Sequence, residues 1–254
     1  LSILTLFSAG YWLIDQTNDG FRPLEPLPRP VQDPYAPRSV RVEATSEYAL
    51  ATGAFPQFDQ TSAAFNKAIK DTVTQAIDEH FLISEENQKA MQATSSAADE
   101  YALEPYPLTV SFNTPVHNER FVSVLVEIEY YSGGAHGSSS LHTFTYDVQK
   151  KKTANLEDFF PGYEKNMYQK LSDEARTQLS TSLVSQAGGQ TPDTDFINDG
   201  TEPNAQNFKL FTLSPQEDAV TIYFGVYQVA PYVYGEQRIT VPIPKDGEVP
   251  EWLK

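Results

Sequence analysis

The sequence predicts an α+β fold of two modules, each an amphipathic helix packed on an antiparallel sheet, and three observations predict it. Residues 61–82 place Phe65, Ile69, Val73 and Ile77 at steps of four, with Ala68, Ala76 and Phe81 widening the same apolar face. Residues 163–186 do the same with Tyr168, Leu171, Ala175, Leu179 and Leu183. Each helix is followed by short β-branched and aromatic runs broken by turn residues, so both halves have the same order of parts.

Taken in order, residues 1–14 are uncharged and carry Tyr11 and Trp12, an aromatic pair typical of a membrane interface. The stretch is too short to span a bilayer, so it reads as the end of a transmembrane anchor or signal segment, with an ordinary buried element as the alternative. Residues 15–38 form a linker in which Pro23, Pro26, Pro28, Pro30, Pro34 and Pro37 favour an extended polyproline spacer. The first module, 39–154, begins with an alternating strand from Ser39 toward Tyr48 and a turn-like approach at Gly53–Phe58. The 61–82 helix follows, with Thr61 or Ser62 available as N-cap. Residues 85–100 are polar and rich in alanine and serine, suiting a mobile loop or a marginal helix. Leu108–Phe112 starts a strand, Pro115–Glu119 turns, and Phe121–Glu129 and Leu141–Val148 are the arms of a hairpin. The second module, 155–254, opens with Leu156–Phe160 and the 163–186 helix. It then passes through a long loop over 188–207 and closes with strands at 208–213, 219–224 and 237–243.

Two stretches stand out from this frame. Tyr130-Tyr-Ser-Gly-Gly-Ala-His-Gly137, at the hairpin tip, holds Gly133, Gly134 and Gly137 within five positions and presents His136 and Ser138–Ser140. Tyr227-Gln-Val-Ala-Pro-Tyr-Val-Tyr-Gly235 joins two of the final strands. Its Tyr227, Pro231, Tyr232, Tyr234 and Gly235 make a rigid aromatic loop of the composition that protein interfaces and sugar-binding surfaces favour. The competing reading is that Tyr227 and Tyr232 close the core.

Composition narrows the function classes. The 34 acidic and 18 basic residues give a formal charge of −16, which repels phosphates and so disfavours nucleic acid and anionic membrane surfaces as partners. A basic protein or divalent cations would be attracted, although acidity also serves solubility alone. Hydrophobic residues make up 40% of the chain, enough to fill a core and to exclude global disorder. The absence of cysteine removes disulfides, thiol catalysis and zinc–thiolate sites together.

Candidate chemistry is sparse. His117, His136 and His142, with Glu127, Glu129 and Asp147 nearby, match no zinc spacing, and His136 suits a hydrogen-bonding role within the glycine bend. Strand alternation places Glu127 and Glu129 on one face, as a solvated strand would. Ser138–Ser140 sit near His136 without a nucleophile elbow or an orienting carboxylate. Asp193–Gly200 begins like a calcium loop, but with Asp195 as first ligand it puts Ile197 where an oxygen ligand is needed and Gln206 where a bidentate glutamate is needed, so an acidic, mobile surface loop is expected. No catalytic residue, metal or cofactor is expected.

Four segments together resemble a known family. Gly53-Ala-Phe-Pro-Gln-Phe58 with Phe65-Asn-Lys-Ala-Ile69, then Tyr130–Gly137, then Leu156-Glu-Asp-Phe-Phe160, then Tyr227–Gly235 are similar to the extracytoplasmic domains of PdaC-type peptidoglycan deacetylases and RsiV-type anti-sigma factors, over about residues 40–245. The resemblance implies a small α+β body outside the cytoplasmic membrane. In the anti-sigma members it implies one transmembrane helix before that body and lysozyme as the signal. Neither a deacetylase catalytic domain nor a sigma-binding segment lies within residues 1–254. The expected function is therefore a non-enzymatic, membrane-anchored or secreted binding or sensor module, whose partner is a basic lysozyme-like protein or a cell-wall glycan. The alternative is a peptidoglycan-acting enzyme or accessory domain centred on His136. Oligomeric state stays open.

Overall fold

The computed structural model describes residues 33–94, 104–163, 165–189, 193–245 and 248–253. The expected anchor at 1–14 and all but the end of the 15–38 linker lie outside the described residues. Among those described, no helix is long and apolar enough to cross a membrane.

A six-stranded sheet comes first. Strands β1 (Arg38–Thr45), β2 (Ala49–Gln57), β3 (Tyr106–His117), β4 (Phe121–Tyr130), β5 (Ser138–Asp147) and β6 (Lys152–Thr153) lie side by side in chain order. Every neighbouring pair is antiparallel except β2–β3, which is parallel because helix α1 (Ala63–Thr94) carries the chain back between them. The expected all-antiparallel first sheet is corrected to this extent. So is the turn at Gly53–Phe58: Gly53–Gln57 is the second half of β2, and Phe58 follows directly on it. Gly53 has φ +121 and faces the β3 backbone so closely that a Cβ would sit 1.9 Å from the Val110 carbonyl oxygen. Only glycine permits this approach.

One face of this sheet packs against α1. Alternation sends Val122, Val124, Val126 and Ile128 of β4, with Leu108 and Val110 of β3, toward Phe65, Ile69 and Val73 of the helix. Ser62 caps the helix by accepting from the Phe65 amide. The helix runs well past residue 82 to Thr94, so residues 85–94 are helical rather than loop. Its buried stripe turns polar on the way, with His80, Ser84 and Gln88 at steps of four, and the Gln88 amide donates to the carbonyls of Tyr48 and Glu104.

The second module packs on the other face. Helix α2 (Met167–Gln186) buries Met167, Leu171, Ala175, Leu179 and Leu183 against a three-stranded antiparallel sheet of β7 (Phe211–Leu213), β8 (Ala219–Phe224) and β9 (Gln237–Pro242). Tyr168, expected in the same stripe, stands at its margin and donates to Glu157 at 2.5 Å. The expected loop over 188–207 contains a third helix, α3 (Thr194–Gly200). Asp193 accepts from the Asp195 amide at 3.0 Å as its N-cap, and Ile197 is buried. The acidic run is thus a packed element rather than a mobile surface loop.

The two modules meet through hydroxyls. Strand β7 is an edge, and its amides at Phe211 and Leu213 reach Thr143 Oγ1 and Ser123 Oγ on the face of the first sheet, each at 3.0 Å. A bulge between Asn113 and Val116 adds one residue to β3. The parity flip turns Val116 away from α1 and into the second core beside Phe121. Residues 34–254 form one compact unit.

Candidate functional site

The glycine bend and the tyrosine loop, in different modules, face each other. At the bend, Gly133 has φ +97, and a Cβ there would press on the Tyr106 ring at 3.2–3.4 Å. The Tyr131 hydroxyl donates to the Gly134 carbonyl at 2.9 Å, and a Cβ on Gly137 would lie 3.1 Å from the Tyr130 carbonyl. Across from it, Tyr232–Tyr234 form a single 3-10 turn after Pro231, and Gly235 ends that turn at φ +65. The Gln228 side chain holds the loop in place by donating to the carbonyls of Gly200 and Asn207, both at 3.1 Å.

Tyr232 closes the gap between the two. Its ring stacks on His136, centroids 3.9 Å apart and 23° from parallel, and its hydroxyl donates to the Gly137 carbonyl at 2.8 Å. His136 Nδ1 lies 2.7 Å from the same carbonyl. Tyr227 extends the aromatic surface 5.7 Å beyond Tyr232 and is half exposed. Tyr234 is placed differently, packed against the second core, and Val233 is the side chain that projects, 84% exposed.

Between bend and loop lies a cleft of about 850 Å³. Tyr131, Tyr232 and Val233 wall it, and Glu127, Glu129 and Glu236 supply its charge, with no lysine or arginine among the described residues that line it. Glu127 and Glu129 do share a strand face, as alternation requires, but that face lines the cleft instead of being simply solvated. Ser139 Oγ donates to Glu236 at 2.7 Å, tying the third carboxylate to the first module. Burial pushes the Glu127 carboxyl above the ordinary glutamate range, and repulsion from Glu236 and then Glu129 pushes it the same way. Such a cluster is relieved by a cation. An ammonium or guanidinium entering it would meet carboxylates at the base and aromatic faces at the sides.

The histidines do not converge. His117 Nδ1 lies 3.3 Å from the Thr114 carbonyl, His136 stacks at the bend tip, and His142 faces α1 with Nε2 3.2 Å from Ser140 Oγ. Among the described residues no group of three or more histidine, aspartate and glutamate side chains could hold a metal ion. The sequence reading missed Glu236 and Val233, which carry no local signal. Their role depends on a contact between modules about a hundred residues apart in the chain.

Residues 42–139 match the family described as Deacetylase PdaC, and residues 157–244 match a protein family of unknown function, DUF3298. A curated relative, peptidoglycan-N-acetylmuramic acid deacetylase PdaC of Bacillus subtilis strain 168, is 28% identical over 156 residues, 61% of this chain and 32% of that protein. The chain thus spans about a third of that relative's length. Two solved structures share the fold. A DUF3298 member from Bacteroides fragilis NCTC 9343 has a TM-score of 0.51 at 17% identity, covering 83% of this chain and 92% of that one. A DUF3298 protein from Pseudomonas aeruginosa PAO1 has 0.52 at 20% identity, covering 86% and 98%. The chain thus joins a first module that matches the PdaC family to a second that matches DUF3298, on a fold that it shares with the two solved DUF3298 proteins.

Proposed function

We propose that the protein is a non-enzymatic binding or sensor module that captures a basic protein of the lysozyme class by taking one of its lysine or arginine side chains into the cleft. The observation that carries this reading is the set of three carboxylates, Glu127, Glu129 and Glu236, gathered from both modules under aromatic walls without a basic residue lining the cleft. A net charge of −16 supports it, since an acidic receptor steers a cationic ligand and speeds encounter at low salt. The exposed Tyr227 and Val233 at the rim supply apolar contact for a protein partner. In this reading the body works outside the cytoplasmic membrane, attached through the apolar segment at residues 1–14.

The relative's name supports a second reading. A deacetylase of peptidoglycan acts on amino sugars, and a glycan carrying a free amine would offer the same ammonium to the same three carboxylates. The two are separated by titrating the full chain with lysozyme and, separately, with a chitosan oligomer, at low and raised salt. Micromolar or tighter binding of lysozyme, weakened by salt mainly through the association rate, supports the protein-binding reading. Binding of the oligomer alone supports the glycan. Acetate release from peptidoglycan that disappears in His136→Ala would overturn the non-enzymatic assignment.

A further inference from the structure

We propose that the protein pairs with a second copy of itself through the open edge of β1, extending the first sheet across a two-fold axis. A strand edge exposes unpaired amides and carbonyls, and folded chains normally cover it. The other edges are covered or short. Strand β7 bonds Thr143 and Ser123, and Gln178 of α2 both donates to and accepts from the Thr240 backbone of β9, at 3.0 and 3.2 Å. Strand β6 has only two residues. Strand β1 has eight, and among the described residues β2 is the one strand paired with it.

The residues of β1 select the occupant and the register. Val40, Val42 and Ala44 pack on the α1 side, while Ser39, Arg41, Glu43 and Thr45 are exposed on the other. Opposed residues of antiparallel strands share a face, so polar positions must meet polar ones. An axis through Val42 sets Arg41 opposite Glu43 of the second copy, twice by symmetry, with Ser39 opposite Thr45 and Val40 opposite Ala44. An axis through Arg41 or Glu43 would oppose identical charges, and one through Val40 or Ala44 would shorten the overlap and lose both ion pairs. Arg41 and Glu43 also touch within one strand, at 3.0 Å, and both stay exposed, which leaves them able to pair across the edge. This self-complementarity favours a second copy over a foreign strand. Glu43, Thr52, Thr109 and Glu129 form one row across β1–β4, so the exposed side of β1 is the side on which the cleft opens. The axis stands perpendicular to the sheet, and both clefts therefore lie on the same side of the joined sheet, an arrangement that gives avidity toward a repeating surface.

Sedimentation equilibrium of the full chain tests the pairing, and its outcome is independent of what the cleft binds. The wild type should show a concentration-dependent equilibrium between monomer and dimer. Arg41→Glu alone and Glu43→Arg alone, each checked for folding by circular dichroism, should weaken it by about tenfold or more, because each sets two like-charged pairs across the axis. An equal mixture of the two variants should associate again, since every opposed pair is then of unlike charge. Three results would overturn the proposal: a wild type that stays monomeric up to about 100 μM, charge reversals that leave association unchanged, or a mixture of folded variants no more associated than its components.

Discussion

At the scale of single residues, Glu127 shows how a binding site is maintained against the stability of the fold. Its carboxyl is held above the ordinary glutamate range by burial and by two like charges. The folded chain therefore binds a proton more readily than the unfolded one just above that range, and stability declines as pH rises through the interval. Glu127→Gln removes the penalty while keeping the shape. At pH 7 it should raise Tm by about 1–3 °C and flatten the pH dependence of melting in that interval. A fall in Tm would mean that the carboxylate is satisfied in the folded chain. A cation in the cleft favours the ionised form, so binding of a basic partner should strengthen as pH rises through the same interval. Of these residues, the sequence made the pairing of Glu127 with Glu129 legible through strand alternation. It could not make Glu236 legible, because nothing local distinguishes one exposed-looking glutamate after a glycine from another.

Elements were readable where their periodicity was apolar and obscured where burial was polar. Apolar periodicity ends helix α1 near residue 82 because its buried stripe changes from Phe65, Ile69 and Val73 to His80, Ser84 and Gln88, side chains that a hydrophobic pattern counts as exposed. Strand β2 was masked by Gly53 and Pro56, which usually mark turns, although here Gly53 serves a close crossing of two backbones. Gly53→Ala should therefore cost about 2 kcal/mol or more, measured by urea unfolding. A loss no larger than that of an exposed strand glycine would contradict the close approach. The polar stretch also has a pH signature. Burial lowers the pKa of His80 and His142 below the ordinary histidine value, so the unfolded chain takes up protons first as pH falls. Stability from these residues is complete above about pH 6.5 and should be lost progressively below it. A double variant, His80→Gln with His142→Gln, should show a shallower decline in Tm from pH 7 to pH 5, whatever its absolute stability.

For the whole molecule, the arrangement that matters is one sheet covered on both faces. The sequence foretold two α+β modules in order, and the second helix and final strands fall close to where the patterns put them, while the first helix runs on past residue 82. How the modules join was not legible, because it depends on hydroxyls within apolar strands: Ser123 in the run Phe121–Ile128, and Thr143 opposite Leu125 on the neighbouring β5. Ser123 is fully buried, and Ser123→Ala would leave the Leu213 amide unpaired. The expected cost is about 1–3 kcal/mol in urea unfolding, with the two modules still melting in one transition. Separate transitions in the wild-type chain would contradict the joining of the two modules into one compact unit. The same junction builds the cleft, since Tyr232 and Glu236 of one module meet Gly137 and Ser139 of the other. The most direct measurement is therefore surface-immobilised binding kinetics against lysozyme, comparing the wild-type chain with Glu127→Gln/Glu236→Gln and with Tyr232→Ala, each checked for folding by circular dichroism. The carboxylate variant should dissociate about tenfold faster or more, and Tyr232→Ala should lose about 2 kcal/mol of affinity. Folded variants that bind lysozyme as the wild type does, or a wild type that does not bind it at micromolar concentration, would contradict the assignment of the cleft.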